Sequence, residues 1–319
     1  MPYTGNSTTT LTNYAMKTYY DRKLLEKAKT QFVYASFGQK RPMPKNNGMQ
    51  VEFRRFNLFT PNPSEESATI SLPDGSTPIE NVLPNKLQEG VVPTGQTLSQ
   101  TRVLATVAQY GAYVTLSDML ELTAYDPVIS ESTELLGDQI GRVIEWVTRD
   151  AMIAEASVQP VTGNMTVDAV RKAVRTLKKK KARPFSGNGR GNHFVCIVDP
   201  DVAYDLMGDT KWQTVREYQD KEAIYNGELG KMYGVVFVES TEGSLESSQH
   251  HSLIFGADAY GTIDIAGSGS MQTIIKPAGS AGSADPLNQI STVGCKVMAY
   301  TAKVLNPAWI IDMQSGASA

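Results

Sequence analysis

Only two cysteines and three histidines occur among the 319 residues. Cys196 and Cys295 each lie inside an apolar β-type run, so two buried free thiols are expected rather than a disulfide framework. His193 stands at a strand entrance, and His250 and His251 follow a polar turn. No HExxH spacing or Cys/His cluster accompanies them, which leaves metal chemistry without ligands. Long apolar runs are missing too: nothing approaches the roughly 18 residues of a membrane span. The opening MPYTGNSTTTLTNY has neither the basic nor the apolar region of a secretory leader, so a cytoplasmic origin is expected. A marked excess of either charge is missing as well. A net charge of -3 gives no global sign of a partner that is nucleic acid or acidic membrane.

Chemistry-bearing loops are thin. GNGRGN at 187 to 192 follows a helical pattern and precedes a strand, the reverse of the strand, loop, helix order that aims a helix N-terminus at a phosphate. AGSGS at 266 to 270 lacks the P-loop lysine and lies between two strands, so it reads as a turn. No GxSxG elbow occurs, and Glu65 and Glu66 fall in a polar stretch that solvates rather than tunes them. The residues therefore nominate no catalytic, cofactor-binding or metal site. No cofactor, small-molecule substrate or membrane is expected, and an enzyme reading has little support.

What is present is a globular composition, 41% hydrophobic and 20% charged, in a chain long enough for roughly two domains. Residues 1 to 12 read as an extended arm, followed by an amphipathic helix through Ala15, Tyr19, Leu24 and Ala28. Two strand-like runs, VEFRRFNLF and TRVLATV, then flank about forty residues rich in Pro, Ser, Thr, Asn and Gly. Connections inside compact domains have a median of roughly 4 to 6 residues, so this stretch is expected to lie against another molecule. Phe53, Phe56, Leu58 and Phe59 on one arm and Val103, Leu104 and Val107 on the other predict a hairpin base.

After a strand at Tyr110 to Leu116, Asp126 as N-cap and Pro127 at the first helical position predict a helix start. Ile129, Leu136, Ile140, Val143, Val147, Ala151 and Ala154 form its apolar stripe, with Glu131, Glu134, Asp138, Glu145 and Arg149 off it. Gly137 and Gly141 interrupt the repeat and argue against a coiled coil. Thr166 caps a second helix with Val167, Val170, Val174 and Leu177 inward. Between Arg171 and Arg183 its other face carries eight basic residues and no acid. A solvated face or subunit contact and a nucleic-acid site both fit that run, the former better because no aromatic residue interleaves the charges. The strand HFVCIVDP, short helices at Val202 to Met207 and Trp212 to Tyr218, the strand Val235 to Glu239, and then SLIFG, GTIDI, MQTIIKP, TVGCKVMAYTAKV and AWIIDMQ complete an α+β chain closing on a single sheet.

The order of these parts resembles the major capsid proteins of tailed bacteriophages, the Hong Kong 97-type fold. GELGKMYGVVFVEST at Gly227 to Thr241, HFVCIVDPDVAYDLMGDTKW at His193 to Trp212, and DPLNQISTVGCKVMAYTAKVLNPAWIIDM at Asp285 to Met313 are similar to the enquatrovirus-type (N-four-like) branch. The resemblance implies an N-terminal arm at 1–47, an E-loop at 48–107, and a P-domain with its spine helix at 108–165, the helix spanning about 126–157. An A-domain at 166–266, P-domain strands at 267–301 and a C-terminal A-domain strand at 302–319 would follow. It also implies self-assembly into hexamers and pentamers of an icosahedral shell around double-stranded DNA, with scaffold, portal and decoration proteins as possible partners and the virion as location. An encapsulin-type nanocompartment shares that fold. A two-domain nucleic-acid-binding protein or enzyme is the alternative outside it.

Overall fold

The longest element is set by burial more than by helix propensity. A computed structural model describes residues 32–43, 48–56, 98, 100–125, 127–186, 191–212, 228–265, 271–280 and 285–318. The expected helix before Ala28, the stretch 57–97, the Asp126 cap, both glycine-rich loops apart from Gly191 and Asn192, and the helix beyond Trp212 lie outside those residues.

Two compact units divide the chain, one comprising 1–50, 106–152 and 261–303, the other 51–105, 153–260 and 304–319. In the first, α1 (Tyr34–Phe37) leads into β1 (Gln39–Met43). After the excursion through β2 (Gln50–Phe56) and β3 (Gln100–Thr106), the chain forms β4 (Ala108–Ser117), α2 (Asp118–Thr123) and α3 (Val128–Glu155). Its 28 residues give α3 a length of ~42 Å at 1.5 Å per residue. Strands β11 (Tyr260–Ile265), β12 (Met271–Lys276) and β13 (Ile290–Val304) return later in sequence to make a five-stranded sheet, ordered β1, β11, β13, β12, with β4 also on β13.

The α3 stripe differs from the one its apolar residues suggest. Buried are Ser132, Thr133, Leu136, Gly137, Ile140, Gly141, Ile144, Glu145, Thr148 and Met152, whereas Val143 and Val147 are half-buried and Ala154 is exposed. The helix turns a narrow seam of small and polar residues inward, flanking Leu136, Ile140 and Ile144, which pack with Leu116, Val293, Cys295, Val297 and Tyr300. Both glycines sit in that seam, so they belong to the packing and do not interrupt it. Thr148 Oγ1 shares a 2.7 Å hydrogen bond with Tyr300 Oη, which satisfies both buried hydroxyls.

The second unit holds the hairpin base and a seven-stranded mixed sheet. Strands β2 and β3 pair as expected, but their apolar residues divide: Phe53 and Ala105 are buried, while Phe56 and Leu104 are exposed. The large sheet comprises β5 (Ser157–Asn164), β6 (Phe194–Val198), β7 (Glu228–Met232), β8 (Val235–Glu239), β9 (Ser244–Glu246), β10 (Gln249–Phe255) and β14 (Ile310–Gly316). Its order is β5, β14, β10, β6, β8, β7, with β9 on β10. All of β6 is buried, as its unbroken apolar run FVCIV requires of a strand covered on both faces. Pro160 is tolerated in β5 because that strand is an edge.

One sheet was expected from the closing strands, and two exist. SLIFG and AWIIDMQ contribute β10 and β14 to the seven-stranded sheet, whereas GTIDI, MQTII and TVGCKVMAYTAKV form β11, β12 and β13 of the other. Alternation along a strand reports which face is buried and is silent about which strand lies beside it, so partner choice was invisible in the pattern.

Helices α4 (Val167–Lys179) and α5 (Pro200–Gly208) close the core of this second unit. Thr166 Oγ1 accepts from Ala169 N–H at 3.4 Å, and Val167, Val170, Val174 and Leu177 are buried against Cys196, Phe237, Ile254 and Met313. α4 ends in a Schellman arrangement, Ala182 N–H to Leu177 C=O and Lys181 N–H to Lys178 C=O, with Lys181 rather than glycine at φ 54°. The lysine run therefore turns a corner. Lys180 Nζ donates to Ser157 Oγ at 3.2 Å, leaving Lys178 and Lys179 on the helix face.

Candidate intersubunit surfaces

No convergent catalytic geometry emerges from the described residues; what emerges are an anchored segment and several exposed faces. The strongest anchor is Glu145, which sequence patterning placed with the solvated charges of α3. It is fully buried, and its Oε2 accepts from Val33 N–H at 2.9 Å and Tyr34 N–H at 2.6 Å while Oε1 accepts from Ala35 N–H at 2.9 Å. These amides open α1 and have no intrahelical acceptor, so a carboxylate at this point answers both their hydrogen bonding and the partial positive charge of a helix start. The signal in the sequence was slight: a glutamate one residue from Ile144 in a helix whose inward face is otherwise small.

The three histidines are all buried. His193 Nδ1 lies 3.0 Å from Gly191 O, His250 Nδ1 donates to Asp199 at 2.8 Å, and His251 Nδ1 donates to Asp312, itself inaccessible, at 2.8 Å. Each histidine in the adjacent pair thus has its own aspartate, an arrangement that residue spacing could not reveal. Asp199, Asp201 and His250 bring potential ligand atoms within 4.8 Å of one another, but the His250 Nδ1 and an Asp199 oxygen already satisfy each other. Burial holds the Asp199 carboxyl above the usual aspartate range, partly offset by the His250 hydrogen bond. Burial likewise raises the Cys295 thiol to about 11 and the Cys196 thiol further, so both are poor nucleophiles.

Among the described residues, three faces are exposed. In the first unit, Met119, Leu122, Tyr125, Leu287 and Ile290 are exposed around α2 and the start of β13, Leu122 to 83%. A cluster of large exposed apolar side chains marks an interaction surface more often than chance exposure does. On the sheet of the same unit, Gly111 and Gly294 floor a groove of about 520 Å³ walled by Tyr113, Ile274, Lys276 and Lys296. A Cβ on Gly294 would meet the Tyr113 Cβ at 3.2 Å, so the trough depends on glycine there. In the second unit, a groove of about 480 Å³ runs along α4 between Arg171, Val174, Arg175, Lys178, Lys179 and Tyr233.

Against known structures, this architecture aligns with the capsid of Ralstonia phage GP4 at a TM-score of 0.66 and 12% identity, covering 91% of each chain. The fold is that of phage capsid subunits. The same Hong Kong 97-type fold is met in the SrpI encapsulin complex of Synechococcus elongatus, which aligns at a TM-score of 0.55 and 8% identity, over 91% of this chain and 89% of that one. Sequence similarity is narrower. The family model for phage capsid protein matches residues 148–259, and the major capsid protein of Escherichia phage T5 is 26% identical over 110 residues, which is 34% of this chain and 23% of that protein's length. Residues 148–259 take in α4, β6 and β8, so sequence and structural likeness meet in the second unit.

Proposed function

We propose that the chain is a major capsid protein of a tailed bacteriophage, forming hexamers and pentamers of an icosahedral shell around double-stranded DNA. The observation that carries this reading is the alignment of nearly the whole chain with a phage capsid structure, supported by the family-model match at 148–259 and the partial sequence match with a major capsid protein. In this reading residues 1–47 are the N-terminal arm, 48–107 the E-loop, 108–165 the P-domain with α3 as its spine, 166–266 the A-domain, 267–301 the remaining P-domain strands and 302–319 a C-terminal A-domain strand. Its role is structural and not enzymatic, its location is the virion, and its principal partner is itself. Open apolar and glycine-floored faces support that role, since surfaces hazardous in a monomer become contacts in a closed shell. Placement in the enquatrovirus-type branch rests on the sequence segments at Gly227 to Thr241, His193 to Trp212 and Asp285 to Met313.

Electron microscopy of the purified chain tests this directly: closed shells are expected, and a monodisperse monomer at high concentration without particles would overturn it. Deleting Asn62 to Thr97 is expected to leave a soluble subunit that forms no closed shell; normal particles from that deletion would show the stretch dispensable. The likeness to an encapsulin supports a second reading, a nanocompartment. Shell contents separate the two, DNA for the first and protein cargo for the second.

A further inference from the structure

Helix α4 carries a basic groove. Arg171, Arg175, Lys178 and Lys179 line the groove over little more than two helical turns. Asp168 pairs with Arg171 at 3.1 Å but is shared with Lys211 at 2.7 Å, and among the described residues no carboxylate pairs with Arg175, Lys178 or Lys179. Cations spaced three and four apart on a helix repel one another weakly, and an anion seated among them relieves that repulsion. Tyr233 forms the far wall. It occupies the first central position of a tight β7–β8 turn, φ 51° followed by 79° at Gly234, and the Arg171 guanidinium lies 5.3 Å over its ring.

The chain as a whole is at -3, so this charge is local and calls for a local complement. Residues 57–97 contain five acids, Glu65, Glu66, Asp74, Glu80 and Glu89, against the single base Lys86. Glu65 and Glu66 are the only adjacent pair among them, and paired carboxylates suit an arginine with lysines one turn away. We infer that the α4 groove receives the Glu65–Glu66 stretch of a second copy of this chain, making it a receptor for the neighbour's arm. This rests on the shell reading above. It adds the surface that the arm engages and the chemistry by which it does so.

A charge swap tests the pairing. Arg175→Glu/Lys179→Glu is expected to lower the yield of closed shells by at least about tenfold through like-charge contact with the arm. Glu65→Lys/Glu66→Lys is expected to do the same. Combining all four substitutions in one chain restores complementarity, and shells return. Arg175→Gln/Lys179→Gln, which removes attraction without adding repulsion, falls between, and an unchanged circular dichroism melt of each subunit excludes misfolding. Wild-type shells together with an undiminished yield from the groove variant would overturn this inference alone. No shells from the wild type would overturn the shell reading and the pairing with it. A loss that the four-fold swap fails to restore also overturns the pairing; if salt-sensitive retention of DNA disappears with it, the groove belongs to phosphates.

Discussion

Replacing Glu145 is the most informative perturbation of the subunit itself, because one side chain completes three backbone hydrogen bonds from a segment more than a hundred residues away. A hydrogen bond to a charged group contributes about 1.5–3 kcal/mol net, and a buried donor left unpaired costs about 1–3 kcal/mol. Against this stands the cost of desolvating the carboxylate, several kcal/mol for a buried ion. Glu145→Leu recovers that cost but strands the amides of Val33, Tyr34 and Ala35, two of them in residues at most 8% exposed. Taking the three unpaired donors as dominant gives a local destabilisation of about 3–9 kcal/mol. Glu145→Gln keeps one acceptor oxygen and turns an NH2 toward an N–H donor, so about half that loss is expected. Amide hydrogen exchange at residues 33–35 is the proper assay, since two compact units need not unfold together. At 1.36 kcal/mol per factor of ten, exchange there should accelerate by at least about a hundredfold in the leucine variant and about tenfold in the glutamine variant. Equal rates in both variants and the wild type would refute the claim that the carboxylate holds the segment, whatever the global melt shows.

Three further outcomes are expected. With Cys295 raised to about 11 and Cys196 beyond it, a thiol reagent at pH 8 should label neither in the native subunit while labelling both in urea; rapid stoichiometric labelling would contradict their burial. Asp199 is raised above its unfolded value near 3.8, so the native state holds its proton more tightly than the unfolded chain does. Its contribution is therefore most favourable below pH 4 and is lost as pH rises through the native value; Asp199→Asn, which keeps an acceptor for His250, should remove that part of the pH dependence of Tm, and an identical profile would show that Asp199 does not titrate differently on folding. Gly256→Ala should destabilise by about 2 kcal/mol or more, because the new Cβ would overlap the Arg183 carbonyl oxygen, which also accepts from Ala257 N–H at 2.7 Å; an unchanged denaturation midpoint would mean that this backbone yields easily.

The sequence carried the elements well and their partners poorly. The α4 cap and face were legible because Thr166 and the spacing of Val167, Val170, Val174 and Leu177 are local facts, fixed by helical geometry alone. Hairpin pairing of β2 and β3 was legible on another ground, two strand-like runs flanking a polar stretch with no apolar face of its own. The division of the closing strands between two sheets was not, since β10 and β11 are near neighbours in sequence yet join different sheets, with only the residues around Gly256 between them. Glu145 was misread because a charge in a helix is ordinarily a solvated charge, and nothing within its own turn announces three unpaired amides brought in from residues 33–35. The histidine pairs fail the same way: His251 finds Asp312 only because β10 lies beside β14. In each case the missing information is a long-range pairing that burial then makes obligatory, since neither a carboxylate nor an imidazole is tolerated in these interiors without a partner. That reasoning can be reversed for the α4 groove. Its cations lie at the surface, where water tolerates them unpaired, so burial makes no demand and the partner must be sought in the charge of the segments that can reach it.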